Sequence, residues 1–123
     1  MRRVRFALGI AITSFVFTLP ALAQYELITI ERPFRAQSLA GVVVDSTGAP
    51  VAGVAVEDRD ASFKSVLHST TTDANGRFAF SQVRNGTTHY LHLESRGFDP
   101  MQIAVKLRRL ARAEVRIQLH VAS

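Results

Sequence analysis

Asp73-Ala74-Asn75-Gly76 is the first stretch whose residue types suit chemistry. Oxygen-bearing side chains at alternate positions, closed by glycine, open many calcium loops. Such a loop takes about six oxygen ligands and usually ends on a bidentate glutamate. No acidic residue lies between Gly76 and Glu94. The stretch therefore reads as a β-turn, with Asp at its first position and Gly at its last. A weak surface site borrowing Asp45 or Asp58 is the lesser alternative.

The histidines are His68, His89, His92 and His120. Zinc wants three or four converging ligands. Strand side chains alternate between faces, so His89 and His92 point to opposite sides. His92 and His120 meet only if their strands are neighbours, and then supply two ligands at most. Surface or half-buried histidines are expected, and no metal ligands. Nucleophilic catalysis needs Ser or Cys beside a base and an orienting acid. The chain has no cysteine, and none of its serines sits in a Gly-x-Ser-x-Gly elbow. No catalytic residue and no cofactor is expected.

The strongest charge feature is Lys106, Arg108, Arg109 and Arg112. Such a cluster suits anionic surface polymers or lipid headgroups. The plainer reading, which the spacing favours, is a solvated connection between strands. Arg116, Gln118 and His120 form a polar row on the last strand. An edge strand there can pair with a partner, but charge usually blunts such edges.

The elements that position these residues follow a removable start. Arg2, Arg3 and Arg5 precede 14 uncharged residues, Phe6 to Leu19, then Pro20 and Ala21-Leu22-Ala23. A basic start, a short apolar run and a small-x-small ending describe a signal peptide, residues 1–23. The run is short of the ~20 residues that span a bilayer. Pro20 breaks a helix where cleavage needs extended chain. Cleavage is expected after Ala23, with a retained anchor helix as the alternative. No cysteine at that point offers a lipid anchor. Three of the 15 basic residues leave with the signal, so the excess over 10 acidic residues falls from +5 to +2. The case for nucleic acid as a partner leaves with them. A cysteine-free exported domain must rely on its core, which suits a bacterial periplasmic or secreted protein. No stable membrane span is expected after cleavage.

From Leu39 onward, two-residue alternation recurs and no helical period is sustained. Strands are expected over Leu39–Asp45, Val51–Asp58, Phe63–Thr72, around Phe78 and Phe80, Thr88–Ser95, Met101–Leu107 and Val115–Val121. On the last, Val115, Ile117, Leu119 and Val121 share the inner face. Ser46 to Pro50, Asp73 to Gly76, Asn85-Gly86 and Gly97 to Pro100 are turns. Gly48, Gly76 and Gly97 are placed where turns need positive φ, and Gly41 and Gly53 inside strands. Lys106 to Glu114 reads as a hairpin connection with room for one helical turn. Residues 24–38 form a leader or an edge strand, interrupted at Arg32-Pro33-Phe34-Arg35. Short strands between regular turns make a β-sandwich.

Three segments resemble carboxypeptidase regulatory-like domains. Gly41 to Val56, with Asp45, Gly48, Pro50 and Gly53, is similar to the family's G-x-V-x-D-x-x-G-x-P-x-x-G-x-x-V opening. Thr72 to Phe80, with Asp73, Gly76, Phe78 and Phe80, is similar to its T-D-x-x-G-x-F-x-F centre. Gly86, Leu91, Leu93, Gly97 and Phe98 resemble its ending, with His89 where the family usually has Tyr. The likeness covers residues 39–123. It implies an all-β, seven-stranded Greek-key sandwich of the prealbumin (transthyretin) kind, and no peptidase activity. Related hydroxyisourate hydrolases end in Tyr-Arg-Gly-Ser, and this chain ends in Leu-His-Val-Ala-Ser. Intradiol dioxygenases place two Tyr and two His on iron, and here only Tyr25 and Tyr90 exist.

The expected function is an exported, non-catalytic module with a binding or structural role in the cell envelope or outside it. Its partner would be an unidentified envelope protein or a glycan; the oligomeric state stays open. Carbohydrate binding is the first alternative, poorly served by two Tyr and no Trp. A small hydrolase is the second, and needs histidines clustered with an arginine.

Overall fold

Met101–Leu107 shows how this chain becomes sheet. Met101, Ile103, Val105 and Leu107 are buried, whereas Gln102, Ala104 and Lys106 are not. A strand sends successive side chains to opposite faces, so one face of this strand is core. The computed structural model describes residues 25–81, 83 and 86–123. The expected signal peptide and Asn85 of the Asn85-Gly86 turn lie outside the described residues.

The described residues form β1 (Ile28–Thr29), β2 (Phe34–Ala36), β3 (Ala40–Val44), β4 (Ala55–Arg59), β5 (Val66–Thr71), β6 (Arg77–Ala79), β7 (Thr88–Glu94), β8 (Met101–Leu107) and β9 (Val115–Gln118). One sheet runs β1-β8-β7-β4-β5, with β2 also on β8; the other runs β6-β3-β9. β7 returns past β5 to pair with β4, and β6 pairs back onto β3. These long returns make a Greek-key sandwich. The seven strands expected from residue 39 onward are β3 to β9. The leader adds two more, both parallel to β8. Pro33, which has no N–H to give a ladder, falls between those two strands.

The two inner faces meet in a core that includes Leu39, Val43, Val56, Leu91, Ile103, Val105 and Ile117, each at most 1 % exposed. Each such side chain contributes about 1.5–3 kcal/mol relative to exposure. Phe78 is buried, and Phe80 packs against the core beside it, ring centroids 6.3 Å apart.

Several expectations need correction. β4 starts at Ala55, not Val51, because Gly53 has φ of 75° and turns the chain. The Thr72 hydroxyl holds that turn: it accepts from Val54 N at 2.8 Å and donates to Val51 O at 2.8 Å. Val121 is 63 % exposed, since β9 stops at Gln118 and Val121 only bridges Phe98. β8 and β9 belong to different sheets, so the 108–114 segment is a crossover, neither hairpin nor helical turn. Gly48, Gly76, Gly86 and Gly97 all have positive φ.

Asp45, Asp60 and Asp73 build three similar turns. Asp73 Oδ1 accepts from Asn75 N at 2.8 Å and Arg77 N at 3.0 Å, and Gly76 N donates to Asp73 O at 2.9 Å. Asp45 and Asp60 do the same with Thr47 and Ala49, and with Ser62 and Lys64. The third turn escaped the sequence reading because Phe63, at φ of 63°, stands where the others have glycine. Its ring meets Tyr90 edge-on at 5.6 Å.

These hydrogen bonds lower all three carboxyl pKa values, first through the Thr47 side chain, the Ser62 side chain and the Arg77 backbone respectively. A depressed folded-state pKa adds stability that is complete above the unfolded pKa, ~3.9, and fades as pH falls through the folded value. Stability should therefore drop as pH falls below about 4. Asp45→Asn/Asp60→Asn/Asp73→Asn keeps an acceptor oxygen at each turn. Urea midpoints measured against pH should show a shallower acid limb for this variant; identical limbs would contradict the assignment.

Candidate functional site

The crossover between β8 and β9 is fastened to the leader through its backbone. Arg108 N donates to Ala36 O at 2.8 Å, and Gln37 N donates to Arg112 O at 2.7 Å. The Gln37 amide and the Ser38 hydroxyl donate to Ala111 O and Ala113 O. With the backbone pinned, the side chains of this segment turn outward.

Phe34 and Arg35 of β2, the crossover, and Glu114, Val115 and Arg116 then surround an open groove of about 890 Å³. Arg35, Arg108, Arg112 and Arg116 all stand in its lining, the Arg116 guanidinium reaching toward the Gly48 turn. Arg108 Nη1 donates to Leu107 O. Glu114, the one acid of the lining, is ion-paired with Arg77. Among the described residues, none of the four arginines has an ion-pair partner. The groove is therefore electropositive, with Phe34 and Leu110 as its apolar surfaces.

Only part of the expected basic cluster is here. Arg108 and Arg112 line the groove. Lys106 lies on the outer face of β8, in register with Arg35 and Thr88, and is not in the lining. Arg109 is exposed at the crossover and is not in the lining either. Arg35 and Arg116 were missed. Arg116 was visible as part of the polar row on the last strand, but nothing in the sequence joined that row to the crossover.

A second polar cluster lies inside the sandwich. Val54, Val56 and Asp58 take successive inward positions, so Asp58 is driven to a core site and is 2 % exposed. His89 Nδ1 lies 3.0 Å from Asp58 Oδ2, and His89 Nε2 lies 2.9 Å from Thr87 Oγ1. His68 Nδ1, on an exposed side chain, is 3.7 Å from the same carboxylate oxygen. Asp58 Oδ1 is buried with no partner among the described residues. His89 and His92 face opposite sides, as expected. His92 sits on the outer face, 3.1 Å from Glu94 Oε1 and 3.3 Å from Gln102. β7 and β9 lie in different sheets, which keeps His120 from pairing with His92. Among the described residues the histidines are thus neither all dispersed nor gathered around an arginine. Among the described residues, no three His, Cys, Asp or Glu side chains are grouped to hold a metal ion.

The model of the carboxypeptidase regulatory-like domain matches residues 38–120. The chain belongs to this family. No curated protein matches the sequence. Among solved structures, 3-chlorocatechol 1,2-dioxygenase from Rhodococcus opacus 1CP superposes with a TM-score of 0.50 at 11 % identity, over 87 % of this chain and 70 % of that one. At that identity the likeness is of fold alone. In this carboxypeptidase regulatory-like domain Tyr90 stands on the outer face and His89 on the inner, so the two do not converge. The departure at His89 also has a physical reason: a histidine there can hydrogen-bond the buried Asp58.

Proposed function

We propose that this carboxypeptidase regulatory-like domain is an exported, non-catalytic binding module of the bacterial envelope or its exterior, and that it holds an anionic partner in the arginine groove. One observation carries the reading: four arginines from three separate segments line one open groove, and the one acid of that lining is already paired. Converged like charge is unfavourable unless a partner neutralises it. The N-terminal signal pattern supports the exported setting.

A heparin column at low ionic strength is a direct test, using the chain from Gln24 onward. The domain should be retained and released by salt. Arg35→Gln/Arg108→Gln/Arg112→Gln/Arg116→Gln should bind roughly ten- to a hundredfold more weakly, since each lost charge contact is worth ~0.2–1 kcal/mol. Lys64→Gln, on the β4–β5 turn, should behave as the parent. Equal retention of all three would remove the groove from consideration.

Glycan binding has one observation in its favour. Tyr25 and Phe98 line a second groove of about 460 Å³ together with Glu94 and Arg96. A ring with polar neighbours is the pattern that sugar faces use. The hydrolase reading has less support, because no arginine joins His68 and His89 among the described residues.

A further inference from the structure

The crossover is most apolar where it is most exposed. Leu110 is 97 % exposed, between Arg109 and Ala111, with Arg108 and Arg112 two residues to either side. The backbone ties to Ala36, Gln37 and Ser38 present this side chain to solvent instead of letting it fold back.

We propose that this tip docks on an anionic lipid bilayer, with Leu110 entering the boundary between headgroups and acyl chains and the flanking arginines taking lipid phosphates. The inference rests on the anion-binding reading of the groove and names its partner. Basic side chains near an anionic leaflet are attracted within a Debye length, and an apolar side chain among them adds the burial that fixes the depth of contact. A soluble polyanion would engage the arginines and leave Leu110 in water. A bilayer uses both.

The charge pattern fits. No acidic residue occurs between Asp99 and Glu114, and Glu114 is paired with Arg77. Position in the fold fits as well. The described chain enters at the other end of β8, where Ile28 is in register with Met101 and Glu26 N donates to Asp99 Oδ1 at 3.0 Å. The tip follows Leu107, so the first described residues lie at the far end of β8 from it.

Vesicle co-sedimentation of the chain from Gln24 onward tests this. Binding is expected to mixed phosphatidylglycerol and phosphatidylcholine vesicles, to weaken with salt, and to be lost on phosphatidylcholine alone. Leu110→Asn should weaken vesicle binding about tenfold and lower heparin retention far less than loss of the groove arginines does. Arg108→Gln/Arg109→Gln/Arg112→Gln should weaken both. Leu110→Trp should shift its fluorescence to the blue on the mixed vesicles. No vesicle binding with heparin retention intact overturns the bilayer and leaves the groove reading standing. Loss of both removes both. Equal binding to neutral vesicles, no effect of Leu110→Asn, or an unshifted Trp spectrum each overturns the docking mode.

Discussion

Gly41→Ala is expected to destabilise the domain by roughly 3 kcal/mol or more, read as a fall in Tm of about 10 °C or more. Gly41 is the crowded point of the small sheet, in register with Phe78 on β6 and Val115 on β9. A Cβ there would lie 3.0 Å from Val115 C, closer still to the Val115 carbonyl oxygen, and 3.2 Å from Phe78 Cε1. Two of those atoms are backbone of a paired strand, so relief requires pulling β9 off β3. Overpacking of this kind is not absorbed by a rotamer change. Gly53→Ala separates close approach from backbone conformation. Gly53 has φ of 75° but nothing within 4 Å of a built Cβ, so only the left-handed conformation is penalised, by about 1–2 kcal/mol. Thermal melts followed by circular dichroism should rank Gly41→Ala well below Gly53→Ala. The reverse order would mean that β9 is free to move.

The second large effect concerns the carboxylate buried between the sheets. His89→Leu should destabilise by about 3–5 kcal/mol, because it strips the close partner from a buried charge. Asp58 is 2 % exposed, its Oδ2 rests on His89, and its Oδ1 has no described partner. His68, at 3.7 Å, is too far for a good hydrogen bond and is mostly in water. Asp58→Leu/His89→Leu should recover most of the loss and can exceed the parent, since apolar replacement of a buried pair is often neutral or stabilising. Leu at 58 would continue the inward series of Val54 and Val56. Urea denaturation of the parent, both single variants and the double variant closes the cycle. If the losses of the two single variants simply add to that of the double variant, the Asp58–His89 contact carries no stability.

Much of this molecule is written in short sequence patterns. β3, β7 and β8 lie within a residue of where alternation puts them, because opposite faces for successive side chains follow from the strand backbone itself. The turns at Gly48 and Gly76 were legible for the same local reason: an aspartate accepts its own neighbours' N–H groups, and a glycine three residues on takes positive φ. Where the local sign was absent, the turn was missed, as at Phe63. Asp58 could have been found, since it continues the parity of Val54 and Val56, but parity names a face without saying what lies opposite.

The candidate site was less legible. Lys106, Arg108, Arg109 and Arg112 are near one another in sequence, yet only Arg108 and Arg112 line the groove. A strand in register with Lys106 carries Arg35, and a strand of the other sheet carries Arg116. The sequence by itself determined the strands, most of their turns, the family resemblance and the departure at His89. Tertiary structure decided that β8 and β9 part into different sheets, that the crossover between them closes an arginine groove, and that His89 meets Asp58. The division has one cause. Alternation and turn chemistry act over a few bonds, whereas groove and buried pair depend on which strands become neighbours, and burial of the whole core selects that.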